Sequence, residues 1–247
     1  MRAPPSPFRR YTSVLIGLVA ATAVLAGCGP GERPKIAELE PYVGRYPRGL
    51  PPLPPKPVVK PSITSRAMAG ATIVVDAGHG GHDPGARGVS AAAEKSINLN
   101  IAMKLAGLLR SRGAKVITTR ERDVFIPLDD RAATADRVRA DLFISIHADS
   151  SQRSSVSGTT IYIARNASGQ SEAAARCIAT ALEHAGIECR GMHGAGYRVL
   201  VGHSRPAVLV ECGFLTNRDD AQRLNTSAYQ SRVAEAIANG VADHFKG

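Results

Sequence analysis

Three apolar runs rich in β-branched residues each end on a side chain that can bind a metal or carry a proton. They are Ile73-Val-Val-Asp-Ala-Gly-His79, Leu142-Phe-Ile-Ser-Ile-His147 and Val208-Leu-Val-Glu211. Short apolar runs of this kind read as buried strands, and between them apolar residues recur at helical spacing. This alternation predicts an α/β fold: a single, mostly parallel twisted sheet of about six strands, covered by helices on both faces. The carboxyl ends of parallel strands share one edge, where ligands bind. Two imidazoles and a carboxylate are therefore expected on that edge.

Strands are expected over residues 72–77, 115–119, 142–147, 159–163 and 207–211, with residues 198–201 pairing at an edge. Helices are expected over 94–112, 128–138, 169–185 and 228–245, the first and third stopped by Gly113 and Gly186. This pattern is long enough to bury one core.

The first seventy residues read differently. Arg2, Arg9 and Arg10 precede a short uncharged apolar run that closes on Leu25-Ala-Gly-Cys28. A spanning helix needs about 20 apolar residues, so residues 1–27 read as a secretory signal. The small residues before Cys28 resemble a bacterial lipobox, which implies cleavage before the cysteine and acylation of its thiol. Residues 29–70 hold ten prolines, including Pro51-Pro52 and Pro54-Pro55. That composition builds no core and favours extended polyproline conformations, so residues 28–70 read as a lipidated tether for a domain at 71–247. The expected location is exported and membrane-anchored on the periplasmic face, at the outer membrane if the cell has one. The net charge of +10 divides into +7 over residues 1–70 and +3 over the rest. The folded part thus lacks the basic footprint of a nucleic-acid binder. Besides Cys28 there are Cys177, Cys189 and Cys212, of which Cys177 and Cys189 are placed to pair, leaving an odd thiol free.

His79 lies in Asp76-Ala-Gly-His-Gly-Gly-His-Asp-Pro-Gly85, whose spacing fits neither a dinucleotide fingerprint nor a P-loop. Glu94 opens the first helix, where an anion is favoured; that suits a deprotonated metal ligand and an ordinary helix-stabilising Glu equally. His147 is either a packed core histidine or a ligand, and Asp149 stands near enough to orient an imidazole. Glu211 follows an apolar strand, and burying it unpaired is costly. Two His and a carboxylate around zinc, with a further Glu to move the proton, is a recurrent hydrolytic arrangement. His79, Glu94 and His147 fit as ligands and Glu211 as acid/base. His82 is the alternative ligand to His79. Arg131 is either a solvated helix residue or a contact for substrate carboxylates. Gly194-Ala-Gly-Tyr197 is placed to line a groove.

In this order, the segments Ile-Val-Val-Asp-Ala-Gly-His-Gly-Gly with Asp-Pro-Gly, Glu94-Lys95, Thr119-Arg120, Ser-Ile-His-Ala-Asp and Val-Leu-Val-Glu-Cys-Gly-Phe-Leu-Thr-Asn217 resemble the zinc-dependent N-acetylmuramoyl-L-alanine amidases of bacterial cell-wall turnover. The resemblance covers residues 72–245. It implies one zinc ion on His79, Glu94 and His147, a catalytic Glu211 and peptidoglycan as substrate, cleaved between N-acetylmuramic acid and L-alanine; the enzyme is expected to be a monomer. Division amidases of this family carry a long insert whose helix blocks the metal. Here 43 residues separate Tyr162 from Pro206, so an open site is expected. Cys212, beside Glu211, is expected to point away from the metal by strand alternation. Competing readings are a zinc endopeptidase of wall peptides and an inactive wall-binding lipoprotein.

Overall fold

The computed structural model describes residues 68–89 and 92–246; Cys28, the expected signal and all but the last three residues of the expected tether lie outside them, and Met68, expected in the tether, is instead buried in the core. Six strands form one sheet: β1 (Thr72–Ala77), β2 (Lys115–Thr118), β3 (Leu142–Asp149), β4 (Thr159–Ala164), β5 (Cys189–Ala195) and β6 (Ala207–Phe214). Their order is β2-β1-β3-β6-β4-β5, parallel throughout except where β4 runs antiparallel to β6. The central strands β1, β3 and β6 are the three apolar runs, as expected for strands covered on both sides.

Strand alternation sorts the side chains into two layers. On one face Ile73, Val75, Ile144, Ile146, Val208, Val210 and Cys212 pack under α1 (Glu94–Ser111), α3 (Gly169–His184) and α6 (Ser227–His244). On the other, Val74, Phe143, Ala207, Leu209 and Tyr162 meet α2 (Leu128–Arg137) and α4 (Arg198–Val201). Asp76, Ser145, His147, Glu211 and Thr160 fall on this second, thinner side, and the cleft forms there.

One expectation is corrected and two elements are added. Residues 198–201 make a helical turn instead of a strand: Leu200 and Val201 amides both donate to Tyr197 O, at 2.8 and 3.1 Å. Burial of Val199 and Leu200 against the second layer overrides the strand preference of the β-branched Val199 and Val201. The edge strand is β5, which pairs with β4 through a bulge at Arg190-Gly191. A further helix, α5 (Arg218–Leu224), starts where Asn217 Oδ1 accepts from the Asp219 and Asp220 amides at 3.1 Å. Among the described residues no helix is long and apolar enough to cross a membrane.

Candidate metal centre and catalytic cleft

His79 leaves β1 through a turn that only particular residues permit. A Cβ at Gly78 would lie 2.2 Å from two atoms of the His147 ring, so glycine is what lets that imidazole lie across the strand end. His79 itself has φ 59°, a left-handed conformation that a non-glycine residue keeps only when its surroundings impose it. Those surroundings are visible. Arg131 Nη2 donates to His79 O at 2.7 Å, and Gly80 and Asp83 exchange two backbone hydrogen bonds at 2.9 and 3.1 Å. Asp83 Oδ2 lies 2.7 Å from His79 Nδ1, so Nε2 is the nitrogen turned inward, 3.1 Å from Glu94 Oε2.

Glu94 is locked from several directions. The start of α1 has no side-chain cap; instead Lys95 N donates to Pro84 O, docking the helix on the His79 loop. Oε2 accepts from Ala86 N at 2.6 Å, and Oε1 accepts from Asn98 Nδ2 at 3.0 Å and Ala148 N at 3.2 Å. Oε1 also lies 3.0 Å from His147 Nδ1. Burial pushes the Glu94 carboxyl up, but the two histidines outweigh it and hold the group well below the usual carboxylate range. For His79, burial works downward and is outweighed by Glu94 and Asp83, which raise it.

The donor atoms of His79, Glu94 and His147 all lie within 4.8 Å of one another. Two ligands about 2.1 Å from a tetrahedral ion stand about 3.4 Å apart, so this spacing fits one shared cation. The donor set, two imidazoles and a carboxylate with a cleft on the open side, suits a catalytic zinc position.

Glu211 faces that cleft of about 410 Å³, together with His79, His147, Asp83, Phe125, Tyr197 and Leu209. It is paired in register with His147 across β3 and β6. Burial, then the charges of Asp149 and Glu94, push its carboxyl well above the ordinary value.

The structure thus brings His79, Glu94, His147 and Glu211 together, and corrects their expected supports. Asp149 makes no hydrogen bond to an imidazole; its Oδ1 accepts from Ser150 N. The orienting carboxylate is Asp83. Arg131 is 2% exposed and reaches no solvent-borne carboxylate: it pairs with Asp76 Oδ1 at 2.8 Å and also donates to Ala77 O and Ile126 O. His82 is exposed and stacks on Phe125, with centroids 4.2 Å apart, away from the donor cluster. Cys177 and Cys189 are unpaired thiols, and Cys212 packs in the first layer.

Sequence reasoning missed Asp83 and the work of Arg120. Arg120 is 4% exposed and donates to Ala77 O, Gly78 O and Lys95 O at 2.8 Å each, tying the strand end to the first turn of α1. The four-residue spacing of His79 and Asp83 across a double-glycine turn was the available signal for Asp83. A long-range contact such as that of Arg120 leaves none.

Comparison with known proteins agrees with this geometry. A family model described as N-acetylmuramoyl-L-alanine amidase matches residues 73–243. The N-acetylmuramoyl-L-alanine amidase AmiA of Escherichia coli (strain K12) is 32% identical over 219 residues, covering 70% of this chain and 75% of AmiA. That alignment is longer than the part of this chain it covers, so AmiA carries additional residues within it. LytC of Bacillus subtilis (strain 168), another such amidase, is 35% identical over 184 residues; the match covers 72% of this chain but 36% of LytC. Among solved structures, the amidase AmiC2 of Nostoc punctiforme superposes with a TM-score of 0.67 at 36% identity, over 72% of this chain and 99% of that one. The N-acetylmuramoyl-L-alanine amidase from Clostridium difficile 630 gives 0.67 at 34%, over 71% and 96%.

Proposed function

Because this chain belongs to the type 3 N-acetylmuramoyl-L-alanine amidase family, we propose that it is a peptidoglycan hydrolase cleaving the amide between the lactyl group of N-acetylmuramic acid and L-alanine of the stem peptide. The observation that carries this reading is the placement of Glu211 beside His147 on a cleft that also opens onto the His79–Glu94–His147 donor set.

His79 Nε2, Glu94 and His147 Nδ1 would hold a zinc ion, which when bound would supply Lewis acidity toward the scissile carbonyl and the attacking water. The chain's own residues do the rest. Asp83 fixes His79 with its Nδ1 engaged, which leaves Nε2 as the free donor. Glu211 takes the proton of the attacking water on its carboxylate and hands it to the departing amine nitrogen of L-alanine. Its raised proton affinity, set by burial and by Asp149 and Glu94, suits a group that must hold that proton between the two steps. The half-buried His79 and His147, with side chains 26% and 17% exposed, leave the cleft open to an incoming chain.

The same proposal extends to location. The charged start, apolar run and Cys28 support export with acylation of Cys28, the proline-rich segment acting as a tether between membrane and wall.

Glu211→Gln keeps the size of the side chain and removes its ability to carry the proton. Turnover of isolated peptidoglycan should fall at least about a hundredfold while the metal stays bound. Mass spectrometry of the wild-type digest should show free stem peptides and peptide-free glycan. Fragments cut between amino acids would indicate an endopeptidase, and an active Glu211→Gln would remove Glu211 from the mechanism.

A further inference from the structure

We propose that Thr160 is a positioning residue for Glu211, its hydroxyl donating a hydrogen bond to carboxylate oxygen Oε2; the inference rests on the amidase reading of Glu211 above. Glu211 has two partners in the sheet: His147 of β3 on one side and Thr160 of β4 on the other. These three side chains form a row across three strands, on the face that carries the cleft.

Two atoms in that row are unsatisfied. Glu211 Oε2 and Thr160 Oγ1 are both fully buried and neither has a hydrogen-bond partner. Thr160 is 3% exposed and Glu211 7%. The neighbouring Thr159, whose side chain points to the opposite face, is satisfied by Glu188 O at 2.8 Å. A buried polar atom without a partner is strongly disfavoured, and two of opposite hydrogen-bonding need on directly paired residues supply each other. The reach is short. Directly opposed residues of an antiparallel pair have Cβ atoms about 4.5–5.5 Å apart, and rotation of the threonine between staggered χ1 wells moves its hydroxyl by about 2.3 Å, which turns it toward the paired carboxylate.

The consequence is directional. With Oε2 held from behind by Thr160, the other oxygen of Glu211 is turned toward the cleft, where the attacking water and leaving amine lie. Losing that hold misplaces the carboxylate without touching substrate or ligand residues, so kcat suffers and KM does not.

The test uses the full chain, metal-loaded, acting on isolated peptidoglycan. Thr160→Val is close to isosteric and should lower kcat about tenfold with KM and metal content unchanged, and should lower the melting temperature because Oε2 is left unpartnered. Thr160→Ser, which keeps the hydroxyl, should stay within about twofold of wild-type kcat. Should the valine variant not fold, Thr160→Ala against Thr160→Ser reads out the same contrast. A valine variant with wild-type kcat, or one more heat-stable than wild type, overturns the assignment. Equal loss in the serine and valine variants overturns it too. A wild-type protein that leaves this amide intact would instead sink the amidase reading, and the role of Thr160 with it.

Discussion

Asp83 does for His79 what Asp149 was expected to do for His147. Its Oδ2 lies 2.7 Å from Nδ1, and its Oδ1 accepts from Gly85 N at 3.1 Å, so it is itself held in place. A carboxylate behind a ligating imidazole fixes ring and tautomer and increases basicity, and removing it typically weakens metal binding ten- to a hundredfold. Asp83→Asn should therefore weaken zinc affinity by about that factor in a competition titration against a chelator, with the fold intact. Unchanged affinity would mean that the loop alone orients His79. The four central side chains were legible in the sequence because each terminates an apolar strand or opens an amphipathic helix, and topology sends those positions to one edge. Asp149 misled because proximity along a strand is not contact. Two residues on, a strand side chain points to the same face but a step further along, out of reach of the ring it was meant to orient.

Elements with a strong hydrophobic period were legible nearly to their ends; those without one were not. β1, β3 and β6 announce themselves as apolar runs, and α1 by Ile97, Ile101, Leu105 and Leu109, all buried. β5 reads Cys-Arg-Gly-Met-His-Gly-Ala and buries only Ala195, as an edge strand does, so no apolar pattern betrayed it. The apolar Arg-Val-Leu-Val of α4 attracted the strand assignment instead. The short α5 was marked by Asn217 before Asp219 and Asp220, an N-cap signal that was available and overlooked. Helix α2 holds a different lesson. Its Arg131 reaches under the sheet to Asp76 and to the carbonyls of Ala77 and His79, so an apparently solvent-facing arginine fastens the helix to the loop that presents His79. Nothing local distinguishes such an arginine from an exposed one.

At the scale of the whole molecule, the described residues set a wall-acting edge against a larger buried core. The cleft opens on the thinner side of the sheet, over α2 and α4, while α1, α3 and α6 bury the larger core behind it. That division leaves the donor cluster near solvent without exposing the core. The anchor proposal carries its own check: wild-type protein expressed from the full sequence should fractionate with membranes, and Cys28→Ser should shift it to the soluble fraction. Wild-type protein found wholly soluble would refute acylation at Cys28. The shared cation remains the point on which the catalytic account turns. Diffraction recorded at the zinc absorption edge from zinc-loaded crystals should show one strong anomalous peak, about 2.0–2.2 Å from His79 Nε2, from His147 Nδ1 and from a Glu94 oxygen. A peak elsewhere, or none between these three side chains, would contradict it.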